Sequence, residues 1–556
     1  MKAFFKFSIT FIAMAFLFSS CSKKNDEGKM IPKSAIFVTA INTKSLNDKL
    51  PWEEVKQTNW YKKIYSKMST PEWRKKILDN TGATGIDFDK ELFFFVDKVS
   101  DNDYHLVVEG SLKNDKDFEQ FNKNVDSGQL IRKVDGINLI TLQDNNVVGW
   151  DNEHFAYVIS SATATTRFYD WKGTTNSPFN SDPENDIAAQ STFCAKLFSL
   201  KSDSSLAKNE KFANLLKEPG DIHFWQNTEG IMNNSNSMGM FGMLKLDVFF
   251  KNNISTYTVN FDKGKIDVNQ KIYTSKELMD VLEKYKGSNI NTDMIKNIPS
   301  QNVLGILAMN FKPEGVKALI DLSGLNGLIN TFTKNMSFNI DDVAKANNGN
   351  LLLSLSDLKL NTDSSVSNPF KLPHLNFIFS FGIGDKASLQ KLIDAGKKIT
   401  SQMGNDTMVH YAMNDKTFAI SNSGSFVNQF IAGNNNKYNF TEKLSGHPIV
   451  FFIDIHKILL ELSTQLPNNN DEKNLLTTSL KTWDNITTTG GDFKDHALTI
   501  NTEINMVDQN TNSLKQLNNY MDEMLTIAED RETRNNKEKR LDSLLTPPPI
   551  DTVKVK

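Results

Sequence analysis

Cysteine is nearly absent from this chain, with two in 556 residues, at positions 21 and 194. That count excludes a disulfide scaffold. An excess of either charge is missing too: 63 basic residues stand against 66 acidic ones, for a net charge of -3. The balance removes the electrostatic footprint of a dedicated nucleic-acid binder. The sequence contains no H-E-x-x-H, no Cys/His cluster, no G-x-S-x-G elbow and no Walker loop. No metal ligand, no cofactor and no catalytic residue is therefore assigned, and the reading leans away from an enzyme. The apolar run at the N-terminus, Phe7 to Phe18, is shorter than the ~18 residues that a membrane-spanning helix needs.

That short run reads as an address. Lys2 and Lys6 precede it, Ser19 and Ser20 follow, and Cys21 comes next. Positive charge, apolar segment, small residues and cysteine in that order match a secretory leader. Phe18-Ser19-Ser20-Cys21 resembles a bacterial lipobox, which implies cleavage after residue 20 and acylation of Cys21, with palmitate as a marker. Several acyl chains, at about 0.8 kcal/mol per buried CH₂, hold a soluble domain firmly on a membrane. The expectation is a lipid-anchored protein of the bacterial cell envelope, on the outer membrane, with residues 1–20 as signal peptide and 21–30 as tether. Whether it faces the periplasm or the surface stays open. With Cys21 acylated, Cys194 has no partner for an intrachain disulfide. It sits in an apolar helical pattern and reads as a buried thiol.

The remainder reads as a duplication. Ile31-Pro32 leads into the strand Ala35 to Ile41, and Ile298-Pro299 leads into the strand Val303 to Met309. The strand Tyr104 to Leu112 and the helix at Phe118 return as Leu375 to Ile383 and Leu389. A hairpin at Trp150 to Tyr157 returns at Met413 to Ile420. The helix-Pro-strand unit from Phe212 to Trp225 returns from Phe440 to Ile453. Lys265 to Ile272 and Ala497 to Ile504 alternate at period two and then enter amphipathic helices. The fold class expected is α+β: two tandem copies, 31–290 and 291–528, of a module with an antiparallel sheet and helices packed on one face. Residues 529–556 form a charged tail, with a surface helix to Leu545 stopped by Pro547-Pro548-Pro549. Polar breaks are expected at 176–186, 233–243 and 468–474.

Few residues stand out for chemistry. His105, His223 and His410 fall in strands and read as structural. Gly382-Ile383-Gly384 lies between strand and helix but lacks the third glycine of a dinucleotide loop, so it reads as a turn. Asp87 with Asp89, Asp101 with Asp103, and the acids at 182, 184 and 186 read as solvated turns, since none fits an EF-hand loop. The many phenylalanines occupy alternating strand positions and read as core. Trp52, Trp60 and Trp73 read as structural. The least ordinary stretch is Met-rich, and its Met238, Met240, Phe241 and Met243 are weak candidates for contact with an apolar ligand, a membrane or a partner.

The leader, the Ile-Pro-x-x-Ala opening strand and the helix-Pro-strand unit together resemble an uncharacterised lipoprotein family of Bacteroidota, known only as a domain of unknown function. The resemblance implies no catalytic residue. The first functional expectation is a membrane-anchored, non-catalytic binding or assembly protein of the envelope. The alternatives are a carrier of an apolar ligand or lipid, and a glycan or peptidoglycan hydrolase. The partners expected are the membrane, through the N-terminal lipid, and an envelope protein or apolar ligand.

Overall fold

A computed structural model describes residues 27–67, 75, 79–100, 103–125, 130–142, 146–160, 183–232, 245–333, 338–359, 374–402, 409–465 and 470–545. In chain order the elements begin with β1 (Ala35–Ile41), α1 (Thr43–Lys49), α2 (Trp52–Gln57), α3 (Asn59–Lys67), β2 (Leu92–Ser100), β3 (Asp103–Ser111) and α4 (Asp115–Val125). They continue with β4 (Arg132–Val134), β5 (Ile137–Thr141), β6 (Val147–Trp150), β7 (His154–Ser160), α5 (Pro183–Phe198), α6 (Glu210–Leu215), β8 (Ile222–Asn227), α7 (Thr228–Met232), β9 (Ile254–Asp262) and β10 (Lys265–Tyr273). Next come α8 (Lys276–Lys284), α9 (Thr292–Lys296), β11 (Val303–Asn310), α10 (Glu314–Ser323), α11 (Asn326–Thr333), α12 (Ile340–Ala346), β12 (Asn347–Lys359), β13 (His374–Ile383) and α13 (Lys386–Gln402). The last are β14 (His410–Met413), β15 (Thr417–Ser421), α14 (Gly424–Ala432), α15 (Thr441–Leu444), β16 (Ile449–Asp454), α16 (Ile455–Gln465), α17 (Asn470–Thr482), β17 (Trp483–Lys494), β18 (Ala497–Met506) and α18 (Ser513–Leu545).

The chain divides into two compact units, one from Met1–Val38 with Gly85–Lys217, the other from Thr39–Thr84 with Glu218–Lys556. In the first, β2, β3, β7, β6, β5 and β4 pair in that order, all antiparallel. Its helix α4 starts where Asn114 caps the amides of Lys116 and Asp117 and where Asp115 and Asp117 meet the positive helix end. Phe118 and Phe121, three apart, then point inward, and Phe118 meets the rings of Phe155 and Trp150 at 5.1 and 5.8 Å. The other face of the sheet is covered as well. A side chain at Gly149 would strike Cys194 Sγ of α5 at 2.6 Å, while its neighbour Trp150 faces α4. The expectation of helices on one face is thereby corrected. The reason is visible in Val147-Val148-Gly149-Trp150, where all four residues are buried, so both faces need cover.

Several polar residues lie deep in this unit, among them Asp97, His105, Gln190 and Glu109. Glu109 sits on β3 between Phe93 of β2 and Ala156 of β7 and is 3% exposed. Among the described residues its Oε2 has no hydrogen-bond partner, and burial pushes its carboxyl up to about 8. Asp97, on the same face, is also raised, chiefly by burial.

In the second unit the antiparallel order is β8, β9, β10, β18, β17, β16, β11, β12, β13, β15 and β14. Successive side chains point to opposite faces, and two cross-strand rows show what each face does. On one face Ala412, Ala419, Ser380, Leu352, Ala308 and Val450 lie opposite one another in turn. Apart from the half-buried Ala412, that row is buried beneath Met294 and Ile295 of α9, Val427 and Phe430 of α14, and Leu444 of α15. On the other face the matching row is Tyr411, Ile420, Phe379, Leu353, Leu307 and Phe451. Here Tyr411 is 46% exposed, Phe379 38%, and Leu307 and Phe451 37% each. Helix α13 covers only the margin, where Leu389, Leu392 and Ile393 pack on Phe381, Phe418 and Ile420. Helices thus meet both faces here too, but one face stays partly open.

Two further differences from the sequence reading concern the polar segments. Helix α17 begins at Asn470, inside the stretch read as a break, and the tail helix is the continuation of α18, described as far as Leu545; Pro547 to Pro549 lie outside the described residues. Trp60 is structural: its Nε1 donates to Asn518 Oδ1 of α18 at 2.9 Å.

Phe451 and Phe452 make a paired test of the two faces. Phe452→Ala should cost about 3–5 kcal/mol of unfolding free energy as a core truncation, and Phe451→Ala less than about 1.5 kcal/mol. Urea unfolding of the full chain measures both, and equal losses would contradict the one-sided burial. For Glu109, the unfolded carboxyl loses its proton near its ordinary value and the folded one near 8. Between those values the folded state holds the extra proton, so stability falls as pH rises. Glu109→Gln should flatten that fall between about pH 5 and 8 and raise the urea midpoint at the alkaline end. Parallel curves for the two proteins would refute it.

Candidate functional site

The open apolar face runs into a cavity. Two residues along from the exposed row, the next one reads Met413, Phe418, Phe381, Leu351, Met309 and Ile449. Met309 and Ile449 are also walls of a cavity of about 310 Å³. Much of the remaining wall comes from Val281, Leu282 and Tyr285 at α8, Val316 and Leu319 of α10, and Phe493 and Leu498 of β17 and β18.

Local sequence explains how these elements frame a space. Helix α8 begins where Ser275 accepts the amide of Leu278. It buries Leu278 and Met279 and leaves Val281, Leu282 and Tyr285 half-buried. Helix α10 approaches it closely because residue 315 is glycine, where a Cβ would lie 2.7 Å from Tyr285 Cβ. The segment between them is pinned by Lys312 N–H donating to Tyr285 O at 3.0 Å and Asn310 N–H donating to Pro448 O at 2.7 Å. On the sheet side, the pairing of β17 with β18 shifts register between Gly490 and Asp492. Gly491 there has φ +91°, a conformation that favours glycine and lets the strand bulge. The bulge turns Phe493, opposite Leu498, to the cavity wall. No lining residue is acidic; the polar lining side chains are Tyr285, Asn310, Lys286 and Lys312. Such a space favours an apolar chain by removing it from water.

A second cleft in this unit, of about 410 Å³, is polar and lined by Lys443, His456, Asp484, Asn505, Val507 and Gln509. Burial, and then the nearby Asp454, raise the Asp484 carboxyl. The groups bond mainly to one another: Asn485 Nδ2 donates to Asp484 Oδ2 and Asn505 Nδ2 to Asn485 Oδ1, both at 2.9 Å. Asp454 is committed to capping α16 through the Lys457 amide and to the Lys457 ammonium. The cleft therefore does not present the two available carboxylates that glycoside hydrolysis uses.

The residues singled out in the sequence lie elsewhere. Cys21, Met238, Met240, Phe241 and Met243 fall outside the described residues, as do Trp73 and the acids at 101 and 182. Cys194 is buried in α5, and burial pushes its thiol up to about 12, far from a nucleophile's range. His105 is buried on β3 with the Phe193 ring 4.3 Å away. His223 is buried with Nε2 2.9 Å from Glu218 O, and burial lowers its pKa. His410 instead lies exposed at the start of β14. At Gly384 a Cβ would sit 2.4 Å from Lys345 O, so that glycine serves a close turn. Asp87 accepts the amide of Asp89, as a turn does. Among the described residues, no group of three or more His, Cys, Asp or Glu side chains has the geometry to hold a metal ion, and no helix is long and apolar enough to cross a membrane.

Val281, Leu282, Tyr285, Val316 and Leu319 read in the sequence only as apolar helix faces, and none of the cavity residues as a site, because its wall is assembled from segments between residues 281 and 498. A signal does exist in the uninterrupted apolar runs Val303 to Met309 and Ile449 to Ile453, which mark strands apolar on both faces.

No curated protein matches this sequence. One solved structure, crystal form IV of TP0453, is similar over 44% of this chain and 79% of its own, at 9% identity and a TM-score of 0.24. The model of the family described as Domain of unknown function (DUF4836) matches residues 28–411. The match spans well over half of the sequence, and the chain belongs to the DUF4836 family.

Proposed function

We propose that this protein is a lipid-anchored binding protein of the bacterial cell envelope that holds one apolar chain in the cavity between α8, α10 and the sheet. The observation that carries the reading is the continuity of that cavity with the half-exposed row from Tyr411 to Phe451. Monomeric soluble proteins rarely leave a large contiguous apolar surface open unless something binds there. The volume, about 310 Å³, lies at the small end of the range of about 300–1,000 Å³ that ligand sites span. It suits a single acyl chain better than a multi-chain lipid. This favours the carrier reading over the broader binding or assembly role.

Anchoring through Cys21 rests on the order of charge, apolar run, small residues and cysteine at residues 2–21. A Bacteroidota lipoprotein origin is part of the same reading. A tethered domain with an acyl-chain site stays close to the membrane that supplies the chain. We also read the chain as two copies of one module. The strand order β2, β3, β7, β6 is matched by β12, β13, β15, β14, and β8, β9, β10 by β16, β17, β18. In both, one helix follows the second strand, α4 or α13, and another follows the last, α5 or α14.

The test uses full-length Cys21→Ala protein, so that no covalent lipid competes. Decanoate should bind with one site per chain in a calorimetric titration. Leu319→Trp, which fills the cavity from α10, should weaken binding by about tenfold or more while leaving the thermal midpoint within a few degrees. Decanoate binding that is indifferent to Leu319→Trp, and also to Val281→Trp from the opposite wall, would reject this site.

A further inference from the structure

The rim of the cavity differs chemically from its wall. Lys286 and Lys312 both line it and both are exposed. Neither makes an ion pair among the described residues, in a unit where many other lysines do. On the same helices, Lys276 is bound to Asp280, and Lys317 to Asp341. Asp321 accepts from Asn326. The carboxylates nearest in sequence to the rim lysines, Glu283 and Glu314, are exposed and are not part of the lining.

The two rim lysines are placed by the backbone that closes the cavity. Lys286 forms an isolated antiparallel bridge with Phe311, next to Lys312. Lys312 Nζ donates to Lys284 O at the end of α8, at 3.3 Å. That bond draws its ammonium toward the last turn of α8, where Tyr285 forms the wall. The Lys284 ammonium lies over the Tyr285 ring, 5.0 Å from its centre. Positive charge thus gathers at one end of an uncharged apolar space. The carbonyls at the C-terminal end of α8 favour cations in that turn, which explains why lysines are stable there without carboxylates.

Resting on the acyl-chain reading above, we propose that the ligand is a single-chain anionic amphiphile. Its tail occupies the cavity, and its oxyanion head, carboxylate or phosphate, is held by Lys286 and Lys312. The charge is complementary, the wall offers the tail no competing polar group beyond Tyr285 and Asn310, and the head stays in water's reach, so it is not desolvated at full cost. A neutral single-chain lipid would gain the same burial without the ion pair. Lysine, a compact point charge with rotatable donors, accepts either oxyanion geometry, so the structure selects the charge and not the head's shape.

The experiment compares decanoate, decyl phosphate and decanol, three ligands with one tail, on full-length Cys21→Ala protein. At low salt at least one of the two anions should bind about tenfold more tightly than decanol, the worth of a charge-assisted contact. The preference should shrink as salt screens the rim. Lys286→Glu with Lys312→Glu should abolish the preference and leave decanol binding within about twofold. Lys286→Gln with Lys312→Gln, which removes charge without reversing it, should fall between. The two anions differ in source, and whichever binds more tightly identifies a carboxylate or a phosphate head. Equal affinity for all three, unmoved by either double variant, would overturn head recognition while leaving the cavity assignment intact. Failure of all three to bind, with wild type and Leu319→Trp indistinguishable, would overturn the cavity assignment as well.

Discussion

The strands at the middle of the second unit carry apolar side chains on both faces, and each face must be shielded from water. Antiparallel sheets often escape that demand by keeping one polar, wet face. Here Val303 to Met309 and Ile449 to Ile453 offer no such face. Helices α9, α14 and α15 close one side over the row from Ala412 to Val450. On the other side α13 covers only Phe381, Phe418 and Ile420, and α8 with α10 arch over the far end without filling the space beneath them. Burial is worth roughly 25 cal/mol per Å² of apolar surface, so the uncovered strip and the unfilled space are unspent driving force. A chain that enters the cavity recovers it.

The first unit meets the same demand differently. Its sheet is sandwiched between α4 and α5, and no comparable row is exposed there among the described residues. What it carries instead is a buried acid. Burial pushes the Glu109 carboxyl up to about 8 because its surroundings cannot solvate a carboxylate. One unit therefore pays in the stability it loses at alkaline pH, and the other in exposed apolar area.

Much of the scaffold was legible in the sequence because local chemistry dictated it. The strands at Tyr104, Leu375 and Ala497 and the helix at Phe118 follow from their apolar periods. Helix α17 was missed because its first residues, Asn470, Asp471, Glu472 and Lys473, read as a polar loop, and tertiary contact decided otherwise. Phenylalanines were expected in the core. That holds for Phe452 and Phe118 and fails for Phe451 and Phe379, since alternation assigns a residue to a face but not a cover to that face. The cavity was illegible for a related reason. Its wall joins positions far apart in the chain, its rim lysines resemble any solvated pair, and the glycine that makes it possible, Gly315, shows its purpose only against Tyr285.

The proposed binding role depends on an apolar chain lying beneath α8 and α10. Crystals of the protein grown with 10-bromodecanoate would report its position directly through bromine anomalous scattering. One strong peak is expected inside the wall formed by Tyr285, Leu319, Phe493 and Leu498, with the carboxylate toward Lys286 and Lys312. A peak confined to another part of the molecule, or bromine absent from this cavity at saturating ligand, would contradict it.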